Sequence, residues 1–385
     1  MLEEGIQSYL YKFRRVIVMY NERIKLYEEV ERIRKRPLIT YVTSIRSNMS
    51  GIMAGDSISQ IIQQIELISS ESNEVDFLII SNGGDPITSL RIISLLRERF
   101  KKVSVLLPYV AYSAATVLAL GADEIVMHPY SNLGPVDPQL TVSHSNEKGV
   151  QERLQFSSED LTNYVDFLKS DVGITDQEHL VSAIQPLLRD VGSLPIGSAK
   201  RGQQLSLTLS EKMLALHIKD TNKAKTIARA LNSSYYHHGY AVGRKEAKDI
   251  GLTVTSPSLD LEKVLWEIWK DYCDEMKCDV PFDAVNEVMS DPTANSMISN
   301  IKVVDLPANT PPDVAHQIIV QIAQQTPLTT RSSINKSAMI ASVESKKLSK
   351  AFYNRINLLY WRNPDMSLGI NCTVSSSGWI DYENK

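Results

Sequence analysis

Two short stretches of this sequence carry residue types that suit acyl transfer. In the first, Tyr112-Ser113-Ala114-Ala115-Thr116, a serine opens a small-residue helix directly after a strand. A helix N-terminus favours developing negative charge, and the N–H that follows the serine can help to hold an oxyanion. A serine in this position also serves as a plain helix cap, and on local chemistry alone capping is the commoner use. The second stretch, Asn82-Gly83-Gly84-Asp85, closes an apolar run. Paired glycines reach backbone geometries closed to other residues and let N–H groups point at a ligand. Strand-end turns also use such residues with no chemical role.

Other chemistries find less support. Cys273, Cys278 and Cys372 are the three cysteines, and they fit neither a disulfide framework nor a zinc set. Cys273 and Cys278 lie five positions apart with no histidine near them, so they read as two helix cysteines, and no metal or other cofactor is expected. A reducing cytoplasm suits such a chain. The net charge of −4 gives no electrostatic case for nucleic acid or an anionic membrane. Residues 1–36 read as a charged helical arm. Arg14, Arg15, Arg23 and Lys25 interrupt its apolar residues, so nothing approaches the ~20 apolar residues of a spanning helix. Glu3 and Glu4 stand where a signal peptide needs basic residues. The arm is therefore expected to dock on the protein, not on a membrane.

The elements that must position Ser113 and Gly84 follow from apolar patterning. Leu38–Val42, Phe77–Ile80, Val103–Leu107 and Ile125–Met127 read as short buried strands, with a fifth near Leu133. Helical spacing recurs between them, as in Ile58, Ile61, Ile62, Ile65 and Ile68. Strand and helix alternating in this way imply an α/β fold whose parallel sheet is covered on both faces. From Ser158 to about Thr255 the pattern is mostly helical. After a Thr255-Ser256-Pro257-Ser258 linker, Leu261 to Met276 is a tryptophan-bearing helix. Residues 281–385 contain proline joints, expected strands at Ile301–Leu306 and Ala338–Val343, a helix at Val314–Gln324 and a polar tail. The expected division is a helical arm (1–36), a catalytic domain (37–258), and a C-terminal helix with a small α+β appendage (259–385).

The order of strand, Gly-Gly turn, helix, strand and serine-headed helix resembles the Clp/crotonase fold of stacked ββα units, as serine peptidases use it. Residues 38–255 are most similar to the serine dehydrogenase proteinase family, related to signal peptide peptidase A and the Clp proteolytic subunit. Five stretches carry the resemblance: Ser81–Asp85, Tyr112–Thr116, Leu118–Met127, Leu133–Gln139, and His238-Gly239-Tyr240 leading to Glu246–Leu252. The resemblance implies that Ser113 is the nucleophile and that the backbone N–H groups of Gly84 and Ala114 form an oxyanion hole. It implies a peptide or protein substrate and a homo-oligomer, for which the arm and the Trp266/Trp269 helix are candidate contacts.

The base is not settled by this pattern. Asp137 stands about where Clp subunits have their histidine, and His237-His238-Gly239 about where they have their aspartate. A swapped arrangement, His238 activating Ser113 with Asp137 nearby, keeps all three roles available. His128, after a buried strand, is a weaker candidate and suits a structural histidine. Signal peptide peptidase A uses a lysine, which needs burial to lose its proton; Lys169 and Lys200 are nearest in position, and each suits a solvated helix face. Three functions are therefore open: a serine peptidase, an acyl-CoA enzyme of the crotonase branch, and a non-catalytic scaffold or binding module on the same fold.

Overall fold

The computed structural model describes residues 20–145, 151–233, 239–299, 306–325, 331–363 and 367–383. Its centre is an eight-stranded sheet. Five parallel strands run in the order β10 (Val254–Thr255), β5 (Glu124–Met127), β3 (Lys102–Leu107), β2 (Glu74–Ile80) and β1 (Leu38–Thr43). β1 is buried at all six positions and β2 at all but its first residue, which is why both are nearly continuous apolar runs with no alternation. All four apolar runs anticipated between Leu38 and Met127 are strands, and the fold is of the Clp/crotonase α/β class.

Helices cover both faces. On one lie α2 (Ser57–Glu66), α3 (Pro86–Arg99), α4 (Ala114–Leu120), α7 (Ser193–Ala215) and α8 (Thr221–Ser233), packed on Ile39, Phe77, Ile79 and Val105. On the other lie α1, residues 20–34, and α10 (Leu259–Met276), packed on Leu38, Val42, Leu78 and Leu106. The two contact elements suggested for oligomerisation are thus used inside the chain. Tyr27 and Val30 of α1 are fully buried, Trp269 stacks on Tyr109 at 4.6 Å, and Trp266 stacks on His128 at 5.1 Å.

The strand anticipated at Ala338–Val343 lies within β11 (Ser332–Glu344), and it adds antiparallel to β1. β12 (Leu348–Arg362) and β13 (Leu368–Glu383) follow it outward, so residues expected in a separate appendage extend the main sheet. The helix expected at Val314–Gln324 is α13 (Pro312–Gln325); Ile301–Asp305 fall outside the described residues. β12 and β13 escape the sequence reading because Lys350, Asn354, Arg355 and Asn357 mask the alternation of Ile356, Leu358 and Tyr360, which pack on α11 (Ala284–Met289) and α12 (Pro292–Ser299). A second hairpin, β7 (Gln139–Ser145) and β8 (Gln151–Ser157), precedes the helical stretch and likewise shows no apolar run.

An ionic cluster fastens these layers. Arg23 of α1 is fully buried and donates two hydrogen bonds to Glu344 of β11, at 3.0 and 2.8 Å, and others to Asp271 and Glu275 of α10. Glu344 also accepts from the hydroxyls of Tyr27, Ser342 and Ser349. That many donors hold its carboxylate below the ordinary glutamate range in spite of complete burial. Burial pushes Glu275, whose counterion among the described residues is Arg23, up to about 7.

Candidate active site

Three short strands bring the candidate residues to one place. β4 (Val110–Ala111) pairs parallel with β6 (Asn132–Leu133), and β6 pairs antiparallel with β9 (Val242–Gly243). Ser113 follows β4, the Gly134–Gln139 segment follows β6, and the chain reaches β9 directly after residues 239–241. Thr116 locks the first two: its hydroxyl lies within donating distance of the carbonyls of Ala111 (2.7 Å) and Gly134 (2.9 Å) and accepts from the Gly134 N–H at 3.2 Å.

Ser113 heads α4 at φ 51° and ψ −118°, a region that a residue with a Cβ rarely enters. It stands at the N-cap position, yet its side chain makes no capping hydrogen bond. The cap reading therefore does not account for it. Its hydroxyl has no hydrogen-bond partner among the described residues, and the residue is half-buried at the end of a helix whose seven residues are all buried. An alcohol held on a sharp strand-to-helix turn, half-buried and uncommitted, suits a nucleophile.

The Gly83-Gly84 turn lies against it. Ser81 ties the end of β2 to β4: its N–H donates to Val110 O and its carbonyl accepts from Tyr112 N–H, both at 3.0 Å. Gly83 (φ 103°) comes so close that a Cβ on it would sit 2.8 Å from Ser113 Cβ and 3.1 Å from Ala114 N. Gly84 (φ 151°) is fixed from the other side by Met53. The Met53 N–H donates to Gly83 O at 2.8 Å, the Asp85 N–H donates to Met53 O at 2.9 Å, and a Cβ on Gly84 would meet Met53 O at 2.3 Å. Asp85 then caps α3, accepting from Ile87 N–H at 3.0 Å and from the Thr88 hydroxyl at 3.0 Å. Among the described residues, the N–H groups of Gly84 and Ala114 donate to no protein acceptor. Two backbone donors with no protein acceptor thus stand in the two segments that meet at Ser113, the turn after β2 and the start of α4. Met53 was invisible in the sequence, because it acts only through its main chain.

The base candidates divide sharply. His238 lies outside the described residues, as does His237. Asp137 is half-buried and accepts from Gln139 Nε2 at 3.0 Å; with burial, its charge raises Glu159 above the ordinary glutamate range. The adjoining Val136 N–H donates to Leu231 O at 2.8 Å, which brings the Asp137 segment to α8. His128 is 2% exposed, with Nδ1 accepting from Tyr130 N–H and its ring stacked on Trp266; burial lowers its pKa. It is a structural histidine. Lys169 and Lys200 are both exposed, and Lys200 donates to Gln203 at 3.1 Å, so neither has the dry surroundings that a lysine base needs. Among the described residues no group of three or more metal-ligating side chains occurs, and no helix is long and apolar enough to cross a membrane.

The fold is ClpP-like in its parallel sheet and in the serine-headed helix that follows it. Residues 13–162 match the family model described as ClpP-like SDH-type serine proteinase, which shows the resemblance to the serine dehydrogenase proteinase family over that stretch. Two uncharacterized proteins of Methanocaldococcus jannaschii are similar in sequence. One is 26% identical over 51% of this chain and 58% of its own length, the other 24% identical over 61% and 72%. The chain thus spans little more than half of the first relative. Among solved structures it is similar to a mutant of 1510-N, a membrane-bound stomatin-specific protease (14% identity, 64% of this chain and 88% of that one, TM-score 0.33). It is also similar to ClpP1 from Listeria monocytogenes (13% identity, 58% and 94%, TM-score 0.30).

Proposed function

We propose that this chain is a serine peptidase that cleaves peptide bonds through an acyl-enzyme on Ser113. The observation that carries this reading is the strained, uncapped Ser113 beside two unengaged N–H groups. The Ser113 Oγ attacks the substrate carbonyl, and the N–H groups of Gly84 and Ala114 hold the oxyanion that forms. A base must take the hydroxyl proton and return it to the leaving amine. We assign that role to His238, with Asp137 orienting it. The burial of His128 and the exposure of Lys169 and Lys200 support this choice by argument from their surroundings.

The active domain is proposed to be residues 37–258, with the arm 1–36 and residues 259–385 as its supports, working without a cofactor in the cytoplasm as a homo-oligomer. The crotonase-branch and scaffold alternatives lose ground on one point: neither has a use for a serine held at φ 51° without a capping bond. A fluorophosphonate probe tests the reading. The folded chain should be labelled at Ser113, and Ser113→Ala should not be labelled. A folded chain that takes no label and cleaves no peptide library is not a peptidase.

A further inference from the structure

β13 is the last strand of the main sheet: β12 lies on one side of it, and no strand among the described residues lies on the other. Natural edge strands are guarded by charge, proline, shortness or a bulge, because their free N–H and C=O groups invite another strand. β13 has one such guard. Ser375 is an extra residue between Val374 and Ser376, and its hydroxyl donates to Arg355 O at 3.1 Å. The bulge ends a seven-residue stretch, Leu368-Gly369-Ile370-Asn371-Cys372-Thr373-Val374, that has no charge and no proline.

Within this stretch apolar and polar residues alternate. Leu368, Ile370, Cys372 and Val374 share one face. On that face Ile370, Cys372 and Val374 stand opposite Tyr360, Leu358 and Ile356 of β12, which are buried under α11 and α12. The cover stops short of the edge: Cys372 is exposed and Val374 is 53% exposed. An apolar face therefore runs out to an open, unguarded edge.

We infer that this edge pairs antiparallel with the same edge of a second copy, about a two-fold axis at Asn371. The sequence is self-complementary in that register. Leu368 meets Val374 of the other copy, Ile370 meets Cys372, Thr373 packs over Gly369, and the two Asn371 side chains face one another. Every cross-strand pair on the core face is apolar, and the exposed Val374 gains a leucine beside it. The charged end of β13 stays out of the join: Asp381, held by Lys350 of β12, lies beyond the bulge, and an antiparallel pair about Asn371 uses the uncharged stretch alone. The inference does not depend on peptidase activity.

Sedimentation velocity of the full chain, with oxidative cross-linking of cysteines introduced on β13 and read against the Cys372→Ser parent that keeps Cys273 and Cys278, tests it. The chain should dimerise reversibly, and Cys372→Lys should weaken the dimer at least ~10-fold by placing two ammonium groups diagonally across the pair. In a Cys372→Ser background, Asn371→Cys should cross-link to itself, since directly opposed Cβ atoms lie about 4.5–5.5 Å apart. Thr373→Cys should not, because four residues of offset separate the pair by ~13 Å. All of these positions are exposed, so the variants leave the core intact. A monomer at every concentration, a dimer indifferent to Cys372→Lys, or equal cross-linking at 371 and 373 would overturn the inference.

Discussion

Ser113 is kept in a backbone conformation that costs on the order of 1–3 kcal/mol and that its surroundings must over-determine. The restraint is visible in its neighbours: Tyr112 is bonded to Ser81, Thr116 to two carbonyls, and Ser89 Oγ donates to Ala114 O at 2.6 Å. The residue type and its strand-to-helix setting were legible in the sequence, but the dihedral that separates a nucleophile from a cap was not. If His238 is the base, kcat/KM should fall as pH drops through about 6.5, because the protonated imidazole cannot accept the serine proton. His238→Ala should then lower kcat by at least ~10³-fold with little change in KM. An acid limb two or more units higher, surviving His238→Ala, would point to an amine in its place.

At the scale of elements, the Gly83-Gly84 turn and α4 work as one unit, because the turn is wedged between Met53 and Ser113. Gly84→Ala drives a Cβ into Met53 O and should destabilise the fold by more than ~1 kcal/mol, while abolishing Ser113 labelling in whatever fraction stays folded. Thermal melts beside probe labelling separate the two effects. The turn was legible as a turn because Asn-Gly-Gly-Asp closes an apolar run, a pattern that plain strand-end turns share; its clamp was not, since Met53 contributes main chain alone.

The contact between α1 and α10 hides its logic in the same way, for Arg23 and Glu344 are too far apart in the chain for any local pattern. Its pH behaviour can be checked. Glu275 rises in the folded state to about 7 from an ordinary value of 4.5, so it favours the fold most below 4.5 and loses that contribution as pH climbs to 7. Glu344, whose pKa is lowered, has the opposite slope and loses its contribution only as acid protonates it. Glu275→Gln should therefore gain about 1–3 kcal/mol relative to the parent between pH 5 and pH 8, read by urea denaturation at each pH. An unchanged difference would mean that Glu275 is already neutral, or paired, across that range.

For the whole molecule, the parallel half of the sheet was foreseeable and the antiparallel half was not. Leu38–Val42, Phe77–Ile80 and Val103–Leu107 are buried on both faces and announce themselves as apolar runs interrupted only by Thr40 and Ser104. β12 and β13 lie toward the edge, with one face wet, and their polar residues conceal a period of two. Because β11 completes both the sheet and the ionic cluster, removing residues 332–383 should not simply delete an appendage. It takes Glu344 from a buried arginine, a loss of about 3–5 kcal/mol from that pair alone, and bares the side of β1. The truncated chain should be insoluble or unfolded by circular dichroism, whereas Glu344→Gln should fold with a lowered melting temperature.

That arginine also imposes a schedule on synthesis. Glu344 leaves the ribosome 321 residues after Arg23, so over that interval a cation destined for the interior has no carboxylate from β11 to meet. The nascent sheet must wait with β1 open on one side, a state prone to sticking to its neighbours.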